Sequence, residues 1–155
     1  MGGVRGRVAP AAVFAWCAVS SLGLGGCGRP PAAASGGRGR AVLGEVTRAY
    51  VTHLRSNAYR PPANEAAFRA LLAQAGDAAL RRAGVRSVDE LLISPRDSQP
   101  FVIRYGAEAK DMLDRGVVAY ERSGVEGHRL VGYALGYVSD LDQQGFEQLV
   151  PDHTN

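Results

Sequence analysis

The change of hydrophobic period near Ser94 constrains this fold more than any other feature of the chain. Before it, Val42, Val46, Tyr50 and Leu54 recur at helical spacing, with Leu43 and Ala49 alongside and Glu45, Arg48, Thr52 and Arg55 on the other side. After it, apolar residues fall in short runs bounded by Gly, Pro and Ser. The first pattern makes an amphipathic helix whose stripe needs a partner, and the second makes strands. The helix is predicted to start at Ala41 and run for about 15 residues. Asn57 and Arg60-Pro61-Pro62 end it, since proline cannot continue a helix. Asn64 is the expected N-cap of a second helix, with Glu65 in the first turn, Phe68, Leu71, Leu72 and Ala75 on its apolar stripe, and Gly76 as its stop. Asp77 is expected to cap a third piece closed by Gly84, and Ser87-Val88-Asp89-Glu90 fits a capping box ahead of Leu91-Leu92.

Pro95, Ser98 and Pro100 punctuate a turn, and residues 101–105 follow as a strand rich in β-branched and aromatic side chains. Residues 117–122 and 129–135 flank a Gly124-to-Gly127 turn, as in a hairpin, and Gly136 sets off a last strand at 137–139. Asp142 is the expected cap of a final helix carrying Phe146, Leu149 and Val150. Helices first, antiparallel strands second and a helix last make an α+β fold: an amphipathic helix on a three- or four-stranded antiparallel sheet, with a short C-terminal helix. Val46, Tyr50, Leu54, Phe68, Leu71, Val102, Val118, Leu130 and Phe146 are the expected core.

The front of the chain has another character. Arg5 and Arg7 form a basic start with no acid before residue 45, followed by an apolar run from Ala11 to Leu24. That run is about 14 residues, short of the roughly 20 that a spanning helix needs but suited to a secretory signal. Leu24-Gly25-Gly26-Cys27 closes it and resembles the lipobox of bacterial lipoproteins. The resemblance implies cleavage between Gly26 and Cys27 and a diacylglycerol on the Cys27 thiol. Two or three fatty chains satisfy the requirement for stable anchoring, which one chain alone does not. Cys17 would leave with the signal, so the mature chain would hold no disulfide. The expected organisation is a signal peptide at 1–26, a lipidated Cys27 and flexible tether at 27–40, and one globular domain at 41–155.

The formal charge of +3 belongs to the front end. From residue 41 onward, 13 basic and 15 acidic side chains leave −2, which excludes a basic nucleic-acid footprint. Residues 28–40, rich in Gly, Pro and Ala, read as a spacer. Its Arg29, Arg38 and Arg40 stand either free in solution or against anionic headgroups, worth about 1 kcal/mol each in the second case.

Five segments carry a second resemblance: residues 60–64 (Arg-Pro-Pro-Ala-Asn), 94–101 (Ser-Pro-Arg-Asp-Ser-Gln-Pro-Phe), 118–121, 127–129 and 146–149. They resemble small lipoproteins of planctomycete-type bacteria, whose globular part is similar to the head of type II secretion pseudopilins. In that head, too, an N-terminal helix leads through a Pro-containing loop into a small antiparallel sheet. Prepilins carry a short basic leader and a long apolar helix that forms the fibre core. Here a lipobox stands in that place, so pilus-like assembly is not expected. Leu135-Gly136 replaces the Asp-Gly that relatives often carry before the last strand.

Chemistry is sparse. His53 has no acidic or histidine partner at the spacing zinc needs, His128 borders the hairpin turn, and His153 lies in the tail. Nothing like a nucleophile elbow surrounds Ser94, so a triad of Ser94, Asp97 and His128 is not expected. Asp97 is read instead as an acceptor of local backbone hydrogen bonds, and Arg96 as part of a surface ion pair. Pseudopilin heads bind calcium through carboxylates of a C-terminal loop, but Asp140 and Asp142 supply too few oxygens. Asp142 as a helix cap with Asp140 solvated is the expected arrangement. Glu108, Asp111 and Asp114 read as a solvated acidic face. Of the six tyrosines, those on strands either pack or form an exposed face.

The expected protein is therefore a non-enzymatic envelope lipoprotein, with no cofactor and no metal. It is held on the membrane through Cys27 and serves a structural or protein-interaction role. The alternative is a periplasmic binding accessory that presents its tyrosines or its acidic loop to a ligand or calcium. Gly28, where some bacteria place an inner-membrane retention aspartate, favours the outer membrane.

Overall fold

The computed structural model describes residues 32–151. The expectations for the signal at 1–26, for Gly26 and Cys27, and for His153 concern residues outside that range.

Helix α1 (Ala32–Ser56) starts well before Ala41, so the spacer expectation fails from Ala32 onward. Gly36, Gly37 and Gly39 each cost a helix about 1 kcal/mol relative to alanine, which is why the segment reads as a linker. Tertiary contacts override that propensity. Arg38 Nη2 donates to the Gly84 carbonyl at 3.2 Å, and Arg40 Nη1 to the Val138 carbonyl at 2.7 Å. Gly39 is buried where a Cβ would sit 2.8 Å from Arg96 Cδ and 3.1 Å from Leu130 Cδ1.

Helices α2 (Glu65–Gln74), α3 (Gly76–Ala83) and α4 (Val88–Leu91) pack along α1. Asn64 caps α2, its Oδ1 accepting from the Ala67 amide at 2.8 Å. Gly76 does not simply end that helix; with φ at 69° it turns the chain directly into α3. Asp77 therefore lies inside the first turn of α3 and makes no capping hydrogen bond, contrary to expectation. Gly84, at φ 68°, closes α3 as expected. Ser87 Oγ accepts from the Glu90 amide at 3.2 Å, while Glu90 Oε2 reaches one residue further back, to the Arg86 amide.

The sheet has four antiparallel strands in chain order: β1 (Val102–Ile103), β2 (Val117–Tyr120), β3 (His128–Tyr133) and β4 (Val138–Asp142). Between β1 and β2 run a 3-10 turn (Gly106–Ala109) and helix α5 (Lys110–Asp114). Helix α6 (Gln143–Leu149) follows β4, capped by Asp142 Oδ1 on the Gly145 amide at 2.8 Å. The architecture is α+β. The strand expected at 101–105 is only two residues long, because the Phe101 amide turns away to bond the Leu92 carbonyl.

A β-bulge sets the faces of the sheet. Val117 pairs with Tyr133, yet Ala119 pairs with Gly132 and Tyr120 with Val131, so Val118 has no partner of its own. The extra residue breaks strict alternation. Val117 and Tyr120 therefore both face α5 and α6, together with Met112, Val131, Phe146 and Val150. Val118 and Ala119 face α1, together with Leu130. Helix α1 crosses its face diagonally: Arg40 reaches edge strand β4, and Tyr50 Oη donates to the Arg104 carbonyl just past β1 at 2.9 Å. Of the expected core, Leu71 and Val102 are half-buried and the other seven are buried. No described helix is long and apolar enough to cross a membrane.

Candidate functional site

Three features stand out among the described residues: a buried polar cluster, a charged cleft, and an apolar end of the molecule.

The cluster forms where the loop after α4 meets the β2–β3 hairpin. Glu121 closes the apolar run of β2 and is 0% exposed. Ser94 Oγ donates to its Oε1 at 2.6 Å, the Leu130 amide donates to Oε2 at 2.9 Å, and Arg96 Nε lies 3.6 Å from Oε2. Burial holds the Glu121 carboxyl above its ordinary 4.5, against the opposing pull of Ser94, the Leu130 amide and Arg96. The Arg96 side chain is only 7% exposed, and its Nη1 continues to Asp140 Oδ2 at 3.0 Å. Arg96 is thus a buried bridge, not the surface ion-pair residue read from the sequence. Its stem runs beneath Gly39 of α1, which has no side chain to displace it.

Asp97 accepts from the Gln99 amide at 3.0 Å, as expected of a turn. It also reaches across to the Ser123 and Gly124 amides at 3.1 and 2.9 Å, pinning the hairpin turn to the loop. Gly124 fits there because φ is 70° and a Cβ would come 2.2 Å from the His128 carbonyl oxygen.

This arrangement disposes of the triad. Ser94 is fully buried with its hydroxyl committed to Glu121, Asp97 is committed to backbone amides, and His128 Nδ1 lies 3.7 Å from Asp140 Oδ1. His53 sits beside Asn57, whose Nδ2 is 3.2 Å from His53 Nδ1. Asp142 caps α6 as expected, but Asp140 is bound by Arg96 and not simply solvated. Among the described residues, no three His, Cys, Asp or Glu side chains converge where a metal ion would sit.

The charged cleft, about 290 Å³, lies on the α5–α6 face. Glu108, Asp111, Met112 and Arg115 share one helical face of the segment that forms one wall; Val117 and Tyr120, brought to the same side by the bulge, and Val150 complete the floor, with Arg104 at the edge. The acidic residues thus stand among cations and apolar groups, not on a uniformly acidic face. Arg115 Nη1 donates to the Leu149 carbonyl at 3.3 Å.

The apolar end lies where α1 terminates. Leu54, Tyr59, Pro61, Leu113 and Ala134 line a recess of about 430 Å³, edged by Lys110 and Asp114. Tyr59 is 75% exposed and Leu135, at the β3–β4 turn, 78%. Ala58 and Tyr59 are both left-handed, with φ at 51° and 60°, a conformation costing non-glycine residues about 1–2 kcal/mol each. A continuous tyrosine face does not form: Tyr50 and Tyr120 are buried, and Tyr133 stacks on Tyr137 with ring centroids 4.5 Å apart.

The structural importance of Glu121 and Arg96 was missed in the sequence. The only local signal was a glutamate directly after four apolar strand residues.

No protein-family model, no curated protein and no solved structure matches this chain.

Proposed function

We propose that the chain is a lipoprotein of the bacterial envelope, held through a lipid on Cys27 and serving a non-enzymatic, protein-interaction role. The observation that carries this reading is Leu24-Gly25-Gly26-Cys27 behind a short apolar run and a basic start. The folded part is read as pseudopilin-head-like, with an N-terminal helix and an antiparallel meander, although α2, α3 and α4 stand between the two. The interaction role is supported by the exposed Tyr59 and Leu135 around an apolar recess at the far end of α1. The chemistry of the polar cluster is that of a structural tie, since its one hydroxyl is buried and its carboxylates are bonded to arginine or backbone amides.

Membrane fractionation tests the anchor: the wild-type chain stays with membranes after high-salt washing, and Cys27→Ser releases the mature protein. Equal retention of both would overturn it. A photo-crosslinker at Leu135 tests the role, with one defined adduct expected and none from a crosslinker at Arg55 on the exposed face of α1.

A second reading, ligand binding in the periplasm, is favoured by the charged cleft. A small zwitterion suits its mixture of Arg104 with Glu108 and Asp111. Chemical-shift changes confined to residues 104–120 on titration with free amino acids would support this reading over the first.

A further inference from the structure

We infer that the end of the domain where α1 begins is a membrane-facing surface, which lays Arg38, Arg40, Arg81 and Arg86 against anionic phospholipid headgroups. This rests on the reading of Cys27 as the lipid anchor and adds an orientation to it.

Helix α3 runs antiparallel to α1. Arg82, in its last turn, holds Glu45 through Nε and Nη2 at 2.8 and 2.9 Å, and Arg38 reaches the Gly84 carbonyl beyond it. At the other end, Gln74 and Ala75 lie beside Thr52 and His53. The basic last turn of α3, with Arg81 and Arg82, therefore stands beside the first described side chains of α1. Arg86 follows two residues after Gly84, and Arg40 lies on the opposite flank of α1, over β4.

The carboxylates near this end are mostly engaged. Glu45 is buried and bonded by Arg82, with Arg48 at 3.3 Å, and Asp140 is bonded by Arg96; exposed Glu90 accepts only the Arg86 backbone amide and keeps its charge. Arg38, Arg40, Arg81 and Arg86 are exposed and make no ion pair among the described residues, so their charges face water. Arg38 and Arg40 bond carbonyls, which fixes the guanidinium groups without neutralising them.

The far end carries both signs, with Arg55 in the last turn of α1 and Arg104 and Arg115 in the same cleft as Glu108 and Asp111. Residues 104–115 carry Glu108, Asp111 and Asp114 together with Arg104, Lys110 and Arg115, and the Gly106 amide bonds the Pro62 carbonyl at 2.8 Å, beyond the end of α1. From Arg38 to Leu54 the helix axis advances about 24 Å, at about 1.5 Å per residue. That exceeds the screening length of about 8 Å in physiological salt, so each end meets a charged surface separately. An anionic bilayer attracts the exposed arginines of the α1 start, and the mixed charges of the other end give it no comparable pull.

The chain itself restricts the choice of surface. Cys27 is five residues from Ala32, a reach of at most about 18 Å even if fully extended. The basic end is therefore the part of the domain that the anchor brings to the headgroups.

The test compares mature chains of residues 27–155 carrying Cys27→Ser, which cannot take lipid, sedimented with vesicles of phosphatidylcholine alone or with one-third phosphatidylglycerol. The parent partitions more strongly to the anionic vesicles, and the preference fades in 0.5 M salt. Arg81 and Arg86 have no hydrogen-bonded side-chain partner among the described residues, so Arg81→Gln/Arg86→Gln keeps the fold, checked by circular dichroism. That variant loses partitioning about 25-fold, at about fivefold per arginine near an anionic surface. Lys110→Gln, at the far end, changes it little. No preference for anionic vesicles, or equal losses in the two variants, would overturn the inference. The anchor is judged separately: lipidated protein without a headgroup preference sinks only the orientation, and a headgroup preference in a chain that never acquires lipid sinks only the anchor.

Discussion

The two faces of the sheet are built differently. The face under α1 buries Thr47, Ser94 and Glu121 among its apolar residues, with Arg96 almost fully covered. The face under α5 and α6 is an apolar cluster of Met112, Val117, Tyr120, Val131, Phe146 and Val150. Apolar packing tolerates rearrangement, because one methyl group substitutes for another of similar volume. A buried carboxylate does not, because each donor it loses leaves a polar atom inside the protein without a partner. The α1 face therefore holds its parts in one arrangement, and the opposite face, where the Arg129 guanidinium rests 4.4 Å over the Phe146 ring, makes fewer directional demands.

The largest effect that would break this contrast comes from Glu121. Glu121→Ala strands Ser94 Oγ, the Leu130 amide and part of Arg96, and is expected to cost about 3–5 kcal/mol in urea unfolding. Met112→Leu on the other face is expected to cost less than about 1.5 kcal/mol. Equal losses would erase the distinction between the faces.

Gly39→Val comes next, at about 1–3 kcal/mol, because its side chain would collide with the Arg96 stem. Gly44→Ala, five residues along the same helix and with nothing within 4 Å of the added methyl, is expected to stabilise by up to about 1 kcal/mol. Thermal unfolding of the two variants should move in opposite directions; a loss in both would show that α1 tolerates no added side chain anywhere.

The smallest expected effect is on pH dependence. Because burial raises the Glu121 carboxyl above its ordinary 4.5, the folded state favours its protonated form. Its contribution to stability is full below 4.5 and is lost as pH rises through the raised value. Glu121→Gln, which cannot ionise, should show a flatter stability profile just above pH 4.5 than the parent. An identical slope in both chains would show that Glu121 titrates as it does when unfolded.

The same contrast explains what was legible in the sequence. The apolar stripe of α1, the Asn64 and Asp142 caps, the Gly84 terminus and the β2–β3 hairpin depend on local patterns, and each stands where those patterns place it. The start of α1 did not, because Gly36, Gly37 and Gly39 oppose a helix locally and only contacts with Gly84, Val138 and Arg96 hold it. Arg96 read as a surface residue because its partners, Glu121 and Asp140, lie 25 and 44 positions away in the chain. The bulge at Val118 was hidden for a similar reason: a run of four apolar residues shows no alternation to interrupt. For the candidate site, the sequence carried the lipobox-like Leu24-Gly25-Gly26-Cys27 behind the proposal, while the charged cleft and the basic end arise only when distant segments meet.

The central claim is that Cys27 carries the lipid that places this domain on a membrane. Intact-mass spectrometry of the protein extracted from cell membranes tests it most directly. The expected product is a chain that begins at Cys27 and exceeds the polypeptide mass by two or three fatty acyl groups with their glycerol. A chain beginning at any other residue, or one at Cys27 with no added mass, would contradict it.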